Sequence, residues 1–271
     1  MIEILESGAL PLVRITGNGP KGQSVSVAPT LDVIFNLPLD RKPDGNQLFI
    51  RNRRIANTES GPPFRVESNA LTLASSSALE QMLSASCEHL APQLGCLPSS
   101  GLATVNCFME LAQTLQVDCM PLLPSLIRPD AMDRRQPLPC VFHNWLGERR
   151  LAKEMRLRSS PNKISWPGLS SATISSRGSR QTDPMNRLLS VFDEDCAHPA
   201  ARSELRDLAA ASNESWLASL DLDALEQVEP NFFLPRTAQR SAQWWLYDSD
   251  ISQAMDEILK RLMWCQQTLT K

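Results

Sequence analysis

The chain has 271 residues, of which 42% are hydrophobic and 21% are charged, and its formal net charge is −3 at pH 7. This composition predicts a soluble globular protein with a sizeable core, and it offers no basic surface for nucleic acid. No apolar run approaches the roughly 18–20 residues of a membrane span, and the acidic N-terminus is unlike a signal peptide. We therefore expect a cytoplasmic protein, with peripheral contact to the inner membrane as an alternative.

Short runs of β-formers that stop at turn residues predict strands in the first half of the chain. Apolar residues at helical spacing predict helices between and after these strands. We expect Ser100 to cap the helix that begins at Leu102, and Asn144 to cap the helix that follows His143. The predicted strands are 11–16, 31–36, 47–50, 70–74, 117–123 and 140–142, and the predicted helices are 77–90, 102–115 and 144–157.

The composition changes after Arg158. Residues 159–184 are rich in Ser, Pro, Gly, Asn and Arg, which predicts a linker or mobile loop. The pattern beyond them is helical, and the last helix carries its apolar side chains on one stripe. This stripe is expected to pack on the chain's own sheet or, alternatively, to form a homo-oligomer. The predicted helices of this part are 185–192, 200–211, 216–228 and 251–269.

Strands that alternate with helices predict an α/β fold with a Rossmann-like, mostly parallel sheet, helices on both of its faces, and a helical C-terminal region. The expected organisation is an α/β domain at 1–158, the linker at 159–184, and a helical region at 185–271 that packs on the first domain.

The seven cysteines are scattered singly, without the paired spacing of a zinc site, so we expect them to be reduced and mostly buried. No metal site is expected. The three histidines are His89, His143 and His198. His143 lies just before a predicted helix and is the candidate for proton transfer near neutral pH, although a structural role is the alternative.

Two further motifs lie at predicted strand and helix ends, where open α/β sheets bind their ligands. Gly17-Asn18-Gly19-Pro20 follows the first strand, and it is either a β-turn or a loop whose glycines let the backbone approach a ligand. It matches neither the dinucleotide fingerprint nor the P-loop. Pro98-Ser99-Ser100-Gly101 opens the strongest internal helix, and it is either an N-cap alone or an anion site.

Taken in chain order, these motifs resemble those of the bacterial CMP-sialic-acid-dependent sialyltransferases. The family has a Gly-Asn-Gly-Pro loop after its first strand, as at Gly17, and a second strand that ends in asparagine, as at Asn36. It has a Ser/Thr-Ser-Gly helix start, similar to Ser99-Ser100-Gly101, and a histidine just before a helix, similar to His143. The resemblance covers about residues 11 to 157.

The resemblance implies a glycosyltransferase that moves a sugar from a CMP-linked donor to a glycan acceptor by inverting displacement, with no metal or other cofactor. His143 would take the acceptor proton as the general base. The implied nucleotide- and donor-binding residues are Gly17, Asn18, Gly19, Asn36, Ser99, Ser100 and Gly101.

The chain departs from the family where tyrosines hold the leaving phosphate, since its only tyrosine is Tyr247. Lys21 stands where the family has a serine, and either Lys21 or Arg128 is a candidate to replace the tyrosines. The alternative function is a non-catalytic nucleotide-binding or scaffold protein that keeps the fold and uses its helical C-terminus for assembly.

Overall fold

A computed structural model describes residues 10–19, 29–35, 42–52, 63–69, 71, 73–133, 136–170, 183–193, 199–234 and 244–270. The chain forms two compact units. Unit 1 comprises Met1–Leu122 and Leu151–Ser171, and unit 2 comprises Leu123–Arg150 and Ala172–Lys271. The division differs from the expected one, because residues 123–150 belong with the C-terminal helices.

Unit 1 is built on a sheet whose strand order is β4-β3-β2-β1-β5-β6 in the part of the chain that the structure describes. Neighbouring strands are parallel, except that β4 runs antiparallel to β3. From β1, the strands β2 to β4 extend the sheet to one side and β5 and β6 extend it to the other. The strand order therefore reverses between β1 and β5, in the middle of the sheet. The strands are β1 Leu10–Thr16, β2 Leu31–Phe35, β3 Gln47–Asn52, β4 Phe64–Glu67, β5 Ala112–Asp118 and β6 Ile164–Ser165.

Toward their carboxyl ends, β1 and β5 alternate apolar and polar side chains, so that this part of the sheet has one apolar and one polar face. β3 differs, since Leu48, Phe49 and Ile50 are fully buried on both faces. In register, Ile15 lies beside Val33 and Val117 on the buried apolar face. Two helices of unit 1 pack along the sheet: α1, Leu73–Leu94, contacts β4, and α2, Ser100–Leu111, contacts β1 and β5. The hydrophobic pattern thus sets the register of the parallel strands.

Unit 2 is helical. Its last helix is central, since Met255, Ile258 and Leu262 are fully buried and the helix contacts three others of the unit. The apolar stripe is therefore used for packing within unit 2. The helices are α3 Trp145–Arg158, whose last eight residues belong to unit 1, α4 Pro184–Asp193, α5 Pro199–Ala209, α6 Asn213–Ala218, α7 Leu222–Val228 and α8 Ser252–Leu269. Within the described ranges, no helix is long and apolar enough to cross a membrane.

The predicted α/β class, with a mostly parallel sheet and a helical C-terminal region, is confirmed, as are the first three strands. Several local predictions are wrong. Residues 73 and 74 open α1 instead of closing a strand, the strand predicted at 117–123 is β5 at Ala112–Asp118, and 140–142 belong to a 3-10 helix that starts at Pro139. Part of the predicted linker is a strand instead, because Ile164–Ser165 pairs with β5. This pairing holds the segment in a defined position on the sheet.

Candidate functional site

The loop after β1 lies against the chain that follows β5. The Gly17 N–H donates to the Asp118 carbonyl over 2.9 Å, and the Gly19 N–H donates to the Cys119 carbonyl over 2.8 Å. A Cβ at Gly17 would lie 2.5 Å from the Cys119 oxygen, and one at Gly19 would lie 2.6 Å from the same atom. Close approach of two backbones therefore requires both glycines, without any ligand.

The start of α2 lies next to this loop. Ser99 is the N-cap, because its hydroxyl accepts from the Leu102 N–H over 3.2 Å, so the cap lies one residue before the predicted Ser100. The Ser100 hydroxyl instead accepts from the Asn52 side chain at the end of β3 over 3.3 Å. A Cβ at Gly101 would collide with the sulfur of Met120. The first amides of such a helix have no partner inside it.

Met120 joins the two motifs, since its side chain lies against both Gly17 and Gly101 and is only 7% exposed. Its carbonyl accepts from the indole Nε1 of Trp166 over 2.7 Å. The residues around it have unusual backbones: Cys119 has φ 53° and Leu122 has φ 51°. Left-handed φ costs about 1–2 kcal/mol per residue without glycine.

The structure thus brings Gly17 and Gly101 against Met120, and Gly19 against the adjacent Cys119 and Pro121, at the point where the strand order reverses. Asn18, at the tip of the loop, is exposed. Asn36, Pro20 and Lys21 lie outside the described residues. Asn52 and Met120 were missed by the sequence reasoning, although the structure extends the strand predicted at 47–50 to Asn52.

Charged side chains line the polar face of the sheet beside this edge. In register, Arg14 lies between Asp32 and Gln116, and Arg14 Nε is 3.7 Å from an Asp118 carboxylate oxygen. The Thr16 hydroxyl donates to Asp32 over 3.5 Å. Burial raises the pKa of the Asp32 carboxyl, although the positive charge of Arg14 opposes this effect.

His143 belongs to unit 2 and ends a 3-10 helix at Pro139–Phe142. Its Nδ1 lies 3.7 Å from Oε1 of Glu148, which is fully buried, while the histidine side chain is 22% exposed. The Trp145 ring meets the imidazole edge-on, with centroids 5.4 Å apart. The imidazole therefore combines a buried carboxylate neighbour with access to solvent, which suits proton transfer. Glu148 was missed by the sequence reasoning.

Asn144 caps α3 as predicted, since its side-chain oxygen accepts from the Gly147 N–H over 2.9 Å. Its amide donates to the buried Glu229 carboxylate over 2.9 Å, and Arg150 donates to both oxygens of that carboxylate over 2.9 and 3.1 Å. This network anchors the start of the helix that follows His143.

Several other candidates have structural roles. Arg128 is buried in unit 2 and donates to the carbonyls of Asp133 and Gln136, so it holds a loop and is not available for a phosphate. Burial raises the pKa of the Cys140 thiol to about 11, which makes it a poor nucleophile. His89 is exposed on α1, and His198 lies outside the described residues. Tyr247 is in a 3-10 helix of unit 2.

The described cysteines are free. No group of three His, Cys, Asp or Glu side chains in the described part of the chain could hold a metal ion. A cavity of about 700 Å³ lies away from the predicted motifs, where β4 ends and β3 begins. Its polar lining includes Lys42, Arg65, Glu67, Ser76 and Glu80.

Comparisons of the chain with protein-family models, with curated proteins and with solved structures found no match.

Proposed function

We propose that the protein is a glycosyltransferase that resembles the sialyltransferases and transfers a sugar from a CMP-activated donor to a glycan acceptor. Unit 1 would bind the nucleotide at the carboxyl edge of its sheet, and His143 would be the general base. The donor and the acceptor glycan are its partners in this scheme.

One observation supports nucleotide binding most directly. The glycine loop after β1 and the start of α2, far apart in the sequence, meet around Met120 where the strand order reverses. In open α/β sheets this reversal is where ligands bind, and the amides of a helix start favour phosphate. Ser100 adds a hydroxyl there and Asn18 adds an exposed amide.

The proposed reaction is a single displacement. The acceptor hydroxyl oxygen attacks the anomeric carbon, the bond from that carbon to the phosphate oxygen breaks, and CMP leaves with the electron pair. The hydroxyl proton passes to His143. Ser99, Ser100 and the amide of Gly101 would stabilise the negative charge that develops on the leaving phosphate.

The first test is a titration of the protein with CMP, with the melting temperature as the readout. A ligand that binds only the folded protein raises that temperature as its concentration exceeds its Kd. We expect a larger rise with CMP than with UDP or GDP. No rise with any of the three at millimolar concentration would contradict nucleotide binding.

The second test separates binding from catalysis. A His143→Ala variant should bind CMP with unchanged affinity and turn over CMP-linked donor about 10²–10⁴-fold more slowly, the usual contribution of a general base. His89→Ala is the matched control, because that histidine is exposed on α1. Unchanged turnover in His143→Ala would remove this residue from the base role.

A non-catalytic nucleotide-binding or scaffold protein is the second candidate. It is favoured by Cys119–Leu122, a segment with two left-handed residues and no tyrosine at the place where the resembled family holds its leaving phosphate. CMP binding without turnover of any CMP-linked sugar would support this candidate over the enzyme.

A further inference from the structure

We propose that Glu148 is a positioning residue that holds the imidazole of His143 with its Nδ1 proton toward the buried carboxylate, so that Nε2 is the nitrogen that takes up a proton. The pairing of the two side chains follows from the geometry of unit 2. Its use in catalysis rests on the proposed function, in which His143 is the general base.

The two side chains face each other at the start of α3. His143 Nδ1 lies 3.7 Å from Oε1 of Glu148, which is within ion-pair distance. This distance is longer than a direct hydrogen bond, as catalytic contacts often are before a substrate binds. Glu148 is fully buried, whereas the imidazole is 22% exposed. A carboxylate without access to solvent acts on a substrate only through its neighbours, and here that neighbour is the histidine.

The local fold keeps this pair together. His143 is extended, at φ −127° and ψ 139°, and joins the preceding 3-10 helix to α3. Glu148 lies in the first turn of α3, where its N–H donates to the Asn144 carbonyl over 2.8 Å. The Asn144 side chain caps the helix and also donates to the Glu229 carboxylate. Both partners of the pair are therefore held by the network that fixes the start of α3.

The charges around the pair favour an ionised Glu148. The first turn of a helix stabilises negative charge through the helix dipole. The other charged side chains at the start of α3 are Arg150, which donates to Glu229, and the fully buried Arg149. Burial lowers the pKa of Arg149 to about 10, so it keeps its positive charge at neutral pH. The Trp145 ring, which meets the imidazole edge-on, is uncharged, so the negative charge of Glu148 acts on the imidazole.

This arrangement determines which nitrogen reacts. A neutral imidazole carries a proton on one nitrogen and a lone pair on the other. An ionised carboxylate only accepts hydrogen bonds, so it favours the tautomer with the proton on Nδ1. In the proposed transfer, the Nε2 lone pair takes the proton of the acceptor hydroxyl, the Nδ1 proton stays in place, and Glu148 stays ionised. The carboxylate also stabilises the imidazolium that forms.

Nuclear magnetic resonance tests the pair without any substrate. The chain has only three histidines, so the imidazole signals that are absent from His143→Ala identify His143 in isotope-labelled wild type. Above its titration midpoint, wild-type His143 should carry its proton on Nδ1. Glu148→Gln keeps the size of the side chain but removes its charge, so the midpoint should move to lower pH by about one unit. Glu154→Gln should leave the midpoint unchanged, because Glu154 lies on the same helix but pairs with the exposed Arg158.

Turnover tests the use of the pair in catalysis. The probe is CMP-sialic acid, with water as the acceptor and CMP release as the readout. Glu148→Gln should bind CMP as wild type does and release it from the donor at least about tenfold more slowly, though no more slowly than His143→Ala. The acidic limb of its pH profile should move to lower pH together with the imidazole titration, which a merely structural role would not cause.

Each outcome supports or overturns the role of Glu148. A wild-type His143 with its proton on Nε2, or an equal midpoint in wild type and Glu148→Gln, overturns the pair. If Glu148→Gln does not fold, the tautomer in wild type decides. Equal turnover in wild type and folded Glu148→Gln overturns the use of the pair in catalysis. If wild type does not turn over the donor, the proposed function fails, and the resonance measurements still decide whether Glu148 positions His143.

Discussion

Gly17 in unit 1 and Gly147 in unit 2 both lack room for a side chain, but the atoms that surround them differ. Around Gly17 in unit 1, the neighbours are the backbone oxygen of Cys119 and the Cβ of Met120. Around Gly147 in unit 2, they are the Asn144 amide and the Glu229 carboxylate, at 2.5 and 2.7 Å from a Cβ. Unit 1 uses glycine so that two chain segments can touch, and unit 2 uses it to make room for a charged network.

The difference bears on function. In unit 1, the buried Met120 packs against both Gly17 of the loop after β1 and Gly101 at the start of α2. The unit 2 locus fixes the start of α3 with buried polar groups and leaves His143 half-buried beside Glu148. The first is a candidate for binding, and the second is a candidate for proton transfer.

The largest expected effect is on the unit 2 network. Glu229→Ala would remove the buried carboxylate that accepts from the Asn144 amide and the Arg150 guanidinium, and should lower the free energy of unfolding by about 3–5 kcal/mol. The control is Glu226→Ala, because Glu226 also approaches Arg150, at 3.5 Å, but is 60% exposed. It should change stability by no more than about 0.5 kcal/mol. Urea unfolding measures both, and similar losses would contradict a special role for the buried partner.

The next effect separates rigid from flexible neighbours in unit 1. Gly17→Ala would force a Cβ against backbone atoms, and should lower the free energy of unfolding by about 1–3 kcal/mol. In Gly101→Ala the colliding atom is the sulfur of a flexible side chain, and alanine also favours the helix, so the change should stay below about 1 kcal/mol. Equal losses in the two variants would show that the Met120 side chain cannot shift away from a Cβ at position 101.

The sequence predicted the local features of these two regions but not the contacts that depend on the folded sheet. The N-cap role of Asn144 and the glycine loop could be read from local patterns, because caps and turns depend on neighbouring residues. The start of β5 could not be placed, since Ala112 and Leu115 continue the helical spacing of α2 and no turn residue separates α2 from the strand. The position of Met120 depends on left-handed backbone at Cys119 and Leu122, which only the folded sheet can impose.

A smaller effect concerns the affinity of unit 1 for nucleotide. Ser100→Ala removes a hydroxyl next to the proposed phosphate position but keeps the Ser99 cap, so α2 should still begin at the same place. Loss of one hydrogen bond to a charged group costs about 1.5–3 kcal/mol, which predicts CMP binding at least about tenfold weaker by calorimetry. Ser84→Ala on α1, whose hydroxyl donates to the Glu80 carbonyl of its own helix, should bind CMP normally.

The smallest effect is a pH dependence on the polar face of the sheet. Because burial raises the pKa of Asp32 above its ordinary 3.8, the folded protein holds this proton more tightly than the unfolded chain does. Ionisation of Asp32 therefore costs stability as the pH rises from below 3.8 through the folded pKa. Asp32→Asn removes that cost, so the stability of wild type relative to this variant should fall as the pH rises through that window. Urea unfolding of both proteins at several pH values measures the difference, and a rise instead would mean that Arg14 outweighs burial at this carboxylate.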